Sequence, residues 1–242
     1  MRVKQVAASF ALSLFCIFSV NASALPQWPQ VLHWGYFNFP PLLYTDQAGR
    51  LTGPLAERVK RVLENANVPY QTIEYPNKRT KLMMNDGRIN FNVMAKSFLI
   101  DPQSNVISDF PILETSIGVY WQAGTAPLTS LDDLQGKSVI LISGFSYGEI
   151  RQQIESSALN IKSAMEVENH ARGLQALLFK RADYFLGYTE PSNTEIETQS
   201  LQGISSMKVG AVDVYMIVSR EMENADKLMR RLENSYKALY EL

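Results

Sequence analysis

Five aromatic side chains crowd eleven residues near the start of the chain: Trp34, Tyr36, Phe37, Phe39 and Tyr44. Rings gathered this way either pack a core or form a wall that receives a flat ring, an apolar body or a cation. Phe39 is the best placed for the second role, because Pro40-Pro41 follows and stiffens its loop. A second group, Gly144-Phe145-Ser146-Tyr147-Gly148, stands just before a helical pattern. Free backbone N–H groups at a helix start, with the Ser146 hydroxyl, suit an anionic group; serine is equally a common helix cap. The same five residues fit the G-x-S-x-G pattern of a nucleophile elbow. A triad would need a histidine and a carboxylate beside the serine. The two histidines are His33, in an apolar strand, and His170, on a helix face, with no carboxylate cluster around either. Both read as structural, and the chain reads as a non-enzyme with no cofactor and no metal site. Arg79, in Pro76-Asn77-Lys78-Arg79, either points into a cleft as a carboxylate anchor or lies in solvent. Ser97 and Asp101 follow the third strand of the pattern, at the sheet edge where α/β proteins bind ligands. Asp101 suits a ligand cation or the cap of the following turn.

These residues must be positioned by elements legible in the sequence. Val31 to Phe37 reads as a buried strand that the prolines stop. Leu51-Thr52-Gly53-Pro54 opens a helix with Leu55, Val59, Val62, Leu63 and Ala66 at helical spacing. Val68 to Tyr75 is a strand, Lys78 to Met84 a short helix ended by Asn85-Asp86-Gly87, and Ile89 to Met94 a third strand. After a strand at Ser116–Trp121 and a linker from Gln122 to Ser130, a second β-α series begins. It holds strands at Lys137–Ser143, Ile161–Met165, Asp183–Tyr188 and Val212–Ser219, with helices at Glu149–Ser156 and Glu168–Lys180. A closing helix, Asn224 to Leu239, turns Leu228, Leu232, Tyr236 and Leu239 inward. Alternating strands and helices predict mostly parallel sheets covered by helices.

The N-terminus reads as an export signal. Arg2 and Lys4 precede an uncharged, mostly apolar run from Val6 to Val20, and Ala22-Ser23-Ala24 supplies the small-x-small cleavage pattern. Cleavage after Ala24 leaves a mature chain of charge −3. The one cysteine, Cys16, lies inside the run, so the mature chain has no disulfide, thiolate metal site or cysteine nucleophile. Balanced charge without long basic runs argues against nucleic acid as a partner.

The order of motifs resembles the family 3 solute-binding proteins, the polar amino-acid type of two-lobed periplasmic receptor. Gly35 to Tyr44 with Asp46-x-x-Gly49-x-Leu51-x-Gly53 is like that family's opening. Asn85 to Asn90, Ser108-Asp109-Phe110-Pro111, Leu131 to Val139, and Ala176-Leu177-Leu178 with Arg181-Ala182-Asp183 follow in the family's order. The resemblance implies a type 2 periplasmic-binding fold: two α/β lobes joined by two crossing strands, closing on a small molecule by a hinge. Residues 25–121 with 209–242 form the first lobe and 122–208 the second. It also implies a periplasmic monomer serving an inner-membrane ABC-type permease, with a membrane sensor as the alternative partner, and a dehydratase or lyase on the same lobes as a further alternative. Amino-acid binders of the family carry an arginine after the third strand and an aspartate after the "gr.D" strand. Here 97–107 has no arginine, with Asp101 and Gln103 the polar candidates, and Gly187-Tyr188 stands at the aspartate's place. An ordinary α-amino acid is therefore not the expected guest. The candidate ligand-binding residues are Tyr36, Phe39, Tyr44, Arg79, Ser97, Asp101, Phe145, Ser146, Tyr147 and Tyr188.

Overall fold

The computed structural model describes residues 27–156 and 159–240. The export signal and its cleavage site lie outside the described residues. From β1 (Leu32–Tyr36) the chain makes a small hairpin, β2 (Tyr44–Thr45) and β3 (Leu51–Thr52), and enters α1 (Pro54–Asn65). Pro54 fills the first turn, where its missing N–H has no partner to lose. Leu55, Val59, Val62 and Leu63 then form one buried stripe, each side chain contributing roughly 1.5–3 kcal/mol. Next come β4 (Tyr70–Glu74), α2 (Asn77–Asn85), β5 (Phe91–Ala95), β6 (Asn105–Ile107) and the long β7 (Leu113–Gln122). The second half holds β8 (Ser138–Ile142), α3 (Glu149–Glu155), β9 (Lys162–Val167), α4 (His170–Leu178), β10 (Tyr184–Tyr188) and α5 (Thr189–Thr198). β11 (Ile204–Ser219) and α6 (Ala225–Tyr240) return to the first half.

One sheet runs through the molecule in the order β4-β1-β5-β11-β7-β10-β8-β9, with β6 also on β11. β1 pairs parallel with β4 and β5, and β8 parallel with β9 and β10. The antiparallel pair β7–β11 joins the two sets. Buried side chains from Trp28 to Ile112 and from Val214 to Tyr236 make one core, and those from Ile117 to Val212 make another. A third cluster, around Met84, Met94 and Phe98, fills the other face of the first lobe's sheet. These are the two α/β lobes, and β7 and β11 are the crossing strands.

α6 is tied to the first lobe. Glu233 accepts the Asp109 N–H at 2.6 Å, and Tyr236 packs 5.4 Å from Phe110. Leu228, Leu232 and Tyr236 face inward as expected, but Leu239 is 39% exposed. Steps of four residues lead from Tyr236 to Tyr240, whose ring lies 4.8 Å away, so Leu239 falls off the stripe. Two further features differ from the sequence reading. β11 begins at Ile204, eight residues before Val212, and none of those eight residues is buried. α5 was not anticipated: Thr, Pro and Asn are weak helix formers, and packing on α4 and β7 holds them helical.

Candidate functional site

The carboxyl ends of β1 and β5 face those of β8 and β10 across the crevice between the lobes. Phe39 is pinned just beyond β1, where its N–H donates to the Leu43 carbonyl at 2.7 Å and its carbonyl accepts the Leu43 N–H at 3.1 Å. Its ring reaches into the second lobe. It lies 5.2 Å from Tyr188 and 5.9 Å from His170, both edge to face, and 5.9 Å from Phe145 at 33°. Phe37 meets Phe145 edge to face at 5.7 Å and stacks on Phe98 at 5.3 Å. Such pairs add about 0.5–1.5 kcal/mol each beyond the area they bury. At the rim, Ser97 and Ser146 share a hydrogen bond of 2.9 Å between the lobes. Lys78 lies 3.6 Å from Glu166 across the same rim, and Arg151 approaches Glu166 from its own lobe at 3.5 Å. The Ser143 hydroxyl, with those two cations, holds the Glu166 carboxyl below its usual range. Gly144 sits against α2, where a Cβ would come 2.9 Å from Lys78 Cγ.

Between these walls is a cavity of about 60 Å³, lined from both lobes by Tyr36, Phe37, Phe39, Phe98, Phe145 and Tyr188 with aliphatic neighbours. Its polar members are Asn92, Thr115 and Ser146 and the two tyrosine hydroxyls. Ligand pockets for small molecules run to roughly 300–1,000 Å³. A guest of that size enters only when the lobes part or the rings turn aside.

The titratable groups here are shifted by burial. Desolvation, partly offset by the Ser146 hydroxyl and the Tyr147 backbone, pushes the Tyr188 hydroxyl up to about 12. His170 is buried among rings, and burial lowers its pKa to about 3, so it is neutral at physiological pH. Its Nε2 accepts the Tyr188 N–H at 3.2 Å, which fixes Tyr188 at the end of β10.

Of the ten residues singled out from sequence, five line the cavity: Tyr36, Phe39, Phe145, Ser146 and Tyr188. Ser97 bonds Ser146 at the rim. The other four lie elsewhere. Tyr44 is half-buried in the β2–β3 hairpin. Arg79 is exposed, its guanidinium 5.8 Å from the Tyr75 ring. Asp101 caps the turn after β5, accepting the Gln103 N–H at 2.9 Å. Tyr147 lies in the core behind Tyr188, the two rings stacked at 5.6 Å. Its hydroxyl accepts the Ile142 N–H at 2.7 Å and donates to the Leu186 carbonyl at 3.2 Å. Those bonds hold it at φ 51°, a costly conformation for a residue with a Cβ. Tyr147→Phe is expected to destabilise the fold by about 1–3 kcal/mol, because a buried N–H loses its partner. Denaturant unfolding measures it, and ligand affinity is expected to stay unchanged. Ser146 does not cap α3, whose cap position is Gly148, and the Ser146 hydroxyl faces Ser97, which is no general base for a nucleophile elbow.

Sequence reasoning passed over Asn92, Thr115 and Phe98 in the cavity wall, and the contact of the His170 ring with Phe39. A single asparagine inside the apolar strand Phe91-Asn92-Val93-Met94 was the available signal for the first.

No protein-family model matches the chain, and no curated protein matches its sequence. Solved structures do match. A histidine kinase sensor domain with similarity to periplasmic binding proteins superposes with a TM-score of 0.72 at 16% identity, covering 88% of this chain and 91% of that one. An ancestral arginine-binding protein bound to arginine gives 0.71 at 17% identity, with 87% and 92% covered. An ABC uptake transporter substrate-binding protein from Streptococcus pneumoniae with bound histidine gives 0.70 at 17% identity, with 87% of each chain covered. With two cores, two crossing strands and a crevice between them, the chain has the two-lobed fold of the type 2 periplasmic binding proteins.

Proposed function

We propose that the chain is a periplasmic solute receptor that captures a small molecule between its lobes, delivers it to an ABC-type transporter and performs no covalent chemistry. The observation that carries this reading is the ring-lined cavity built jointly by the two lobes, with Phe39 of one lobe inside the rings of the other. A site divided between two bodies forms fully only when they close, which is how capture is coupled to a change of shape. The arginine- and histidine-bound structures among its structural relatives support transport as the purpose. The sensor-domain relative supports the second reading, in which the closed receptor is read by a membrane signalling protein. The division of the two cores between Ile112 and Ile117 and near Asp213 supports a lobe boundary within β7 and β11, against the 121 and 209 that the resemblance implies. No helix among the described residues is long and apolar enough to cross a membrane.

Thermal melting of the mature protein against a panel of aromatic, amide and amino-acid compounds tests the reading. A ligand at about a hundred times its Kd adds roughly 2.7 kcal/mol of stability. That corresponds to a rise of several degrees. Ring-bearing compounds are expected to raise Tm, and glutamine and glutamate to leave it unchanged. A clear shift with glutamine alone would place the polar clamp of an amino-acid binder somewhere in this crevice and overturn the aromatic reading.

A further inference from the structure

Asn92 is 1% exposed in the middle of the sheet, between apolar strand neighbours, and belongs to the cavity wall. Its Oδ1 accepts the Val93 N–H at 2.6 Å, which settles which end of the amide is oxygen. Its Nδ2 is buried and has no hydrogen-bond partner. A buried donor left unmatched is destabilising, so this end of the amide does nothing for the fold. The wall's other polar groups have partners. Tyr36 meets the Thr45 hydroxyl at 2.7 Å, Ser146 meets Ser97 at 2.9 Å, and Thr115 donates to Glu190 at 2.9 Å. No charged side chain lines the cavity, and Glu190 stands behind Thr115 with an oxygen already engaged. A charged group brought here loses its water with no opposite charge in the wall to compensate.

Resting on the receptor reading above, we propose that Asn92 is the polar anchor of the site: its Nδ2 donates to a single carbonyl-type acceptor on an uncharged, ring-bearing guest. The rings select the apolar body, and the asparagine selects among such bodies for one that carries an acceptor. A guest without an acceptor leaves that donor unmatched and binds more weakly.

Calorimetric titration of wild type and Asn92→Val with benzamide, toluene, benzylamine and phenylalanine tests this. Asn92→Leu is the second variant should valine fail to fold. In wild type, benzamide is expected to bind more tightly than the other three. Asn92→Val is expected to weaken benzamide about five- to tenfold, the worth of one hydrogen bond, and to leave toluene within about twofold. Equal benzamide affinity in both proteins overturns the anchor and leaves the receptor reading standing. Tighter binding of benzylamine or phenylalanine overturns the uncharged class. Failure of all four with wild type, when no compound of the thermal panel binds either, sinks the receptor reading itself.

Discussion

Phe39→Ala is expected to weaken binding of any ring-bearing ligand by about 1–3 kcal/mol, or roughly fivefold to 150-fold. Two effects add. The ring is part of the cavity wall, so a guest loses apolar contact. It also spans the crevice to Tyr188, His170 and Phe145, so the closed arrangement of the lobes loses its central contact. The fold itself is expected to tolerate the change, because Phe39 is only partly buried and sits outside the core of its own lobe. Isothermal titration of the best compound of the thermal panel, with the unfolding free energy measured alongside, separates the two effects. An unchanged affinity with a fall of several kcal/mol in stability would return Phe39 to ordinary packing.

The second large effect concerns acid. His170 is held neutral by burial, with its pKa lowered to about 3, against about 6.5 in an unfolded chain. Below pH 6.5 the unfolded state takes up a proton that the folded state refuses. Stability is therefore fully present above pH 6.5 and falls as the pH drops through the interval toward 3. The slope approaches about 1.4 kcal/mol per pH unit for one proton. Asp183 and Glu166, whose carboxyls are held low by Ser138 and Ser143, lose their contributions only near and below pH 4. The interval from pH 6 to 4.5 is thus expected to report mainly on the imidazole, with a loss of about 2 kcal/mol. His170→Gln keeps an acceptor for the Tyr188 N–H and removes the titration, so its stability is expected to be level across that interval. An equal slope in both proteins would show that the buried imidazole does not control it.

Much of this architecture could be read from the chain, and the gaps have physical causes. The α1 stripe and the apolar strands follow from periodicities of 3.6 and 2, which burial enforces. The first half of β11 carries Ser205, Ser206 and Lys208 in a segment with no buried residue and a register shift between Lys208 and Gly210, so no alternation marks it. α5 is helical by tertiary packing rather than by propensity. Tyr36 ends a strand and lines the cavity. Phe145 and Tyr147 are two residues apart in one loop, yet the positive φ at Tyr147 carries its ring into the core while Phe145 faces the crevice. No spacing rule predicts that turn. Asn92 escaped because a lone polar residue in an apolar strand is usually satisfied by a neighbour, and only its surroundings show that this one is not.

A guest of ordinary size is expected to enter by parting of the two lobes rather than by turning of the wall's rings. Ser97 and Ser146 meet across the rim at 2.9 Å, and a chain expressed from Leu25 contains no cysteine. A Ser97→Cys, Ser146→Cys double variant therefore places a single disulfide over the mouth of the crevice. Stopped-flow binding of the best compound of the thermal panel is predicted to be abolished in the oxidised variant and restored by reduction. Equal uptake by the oxidised and reduced forms would contradict the account.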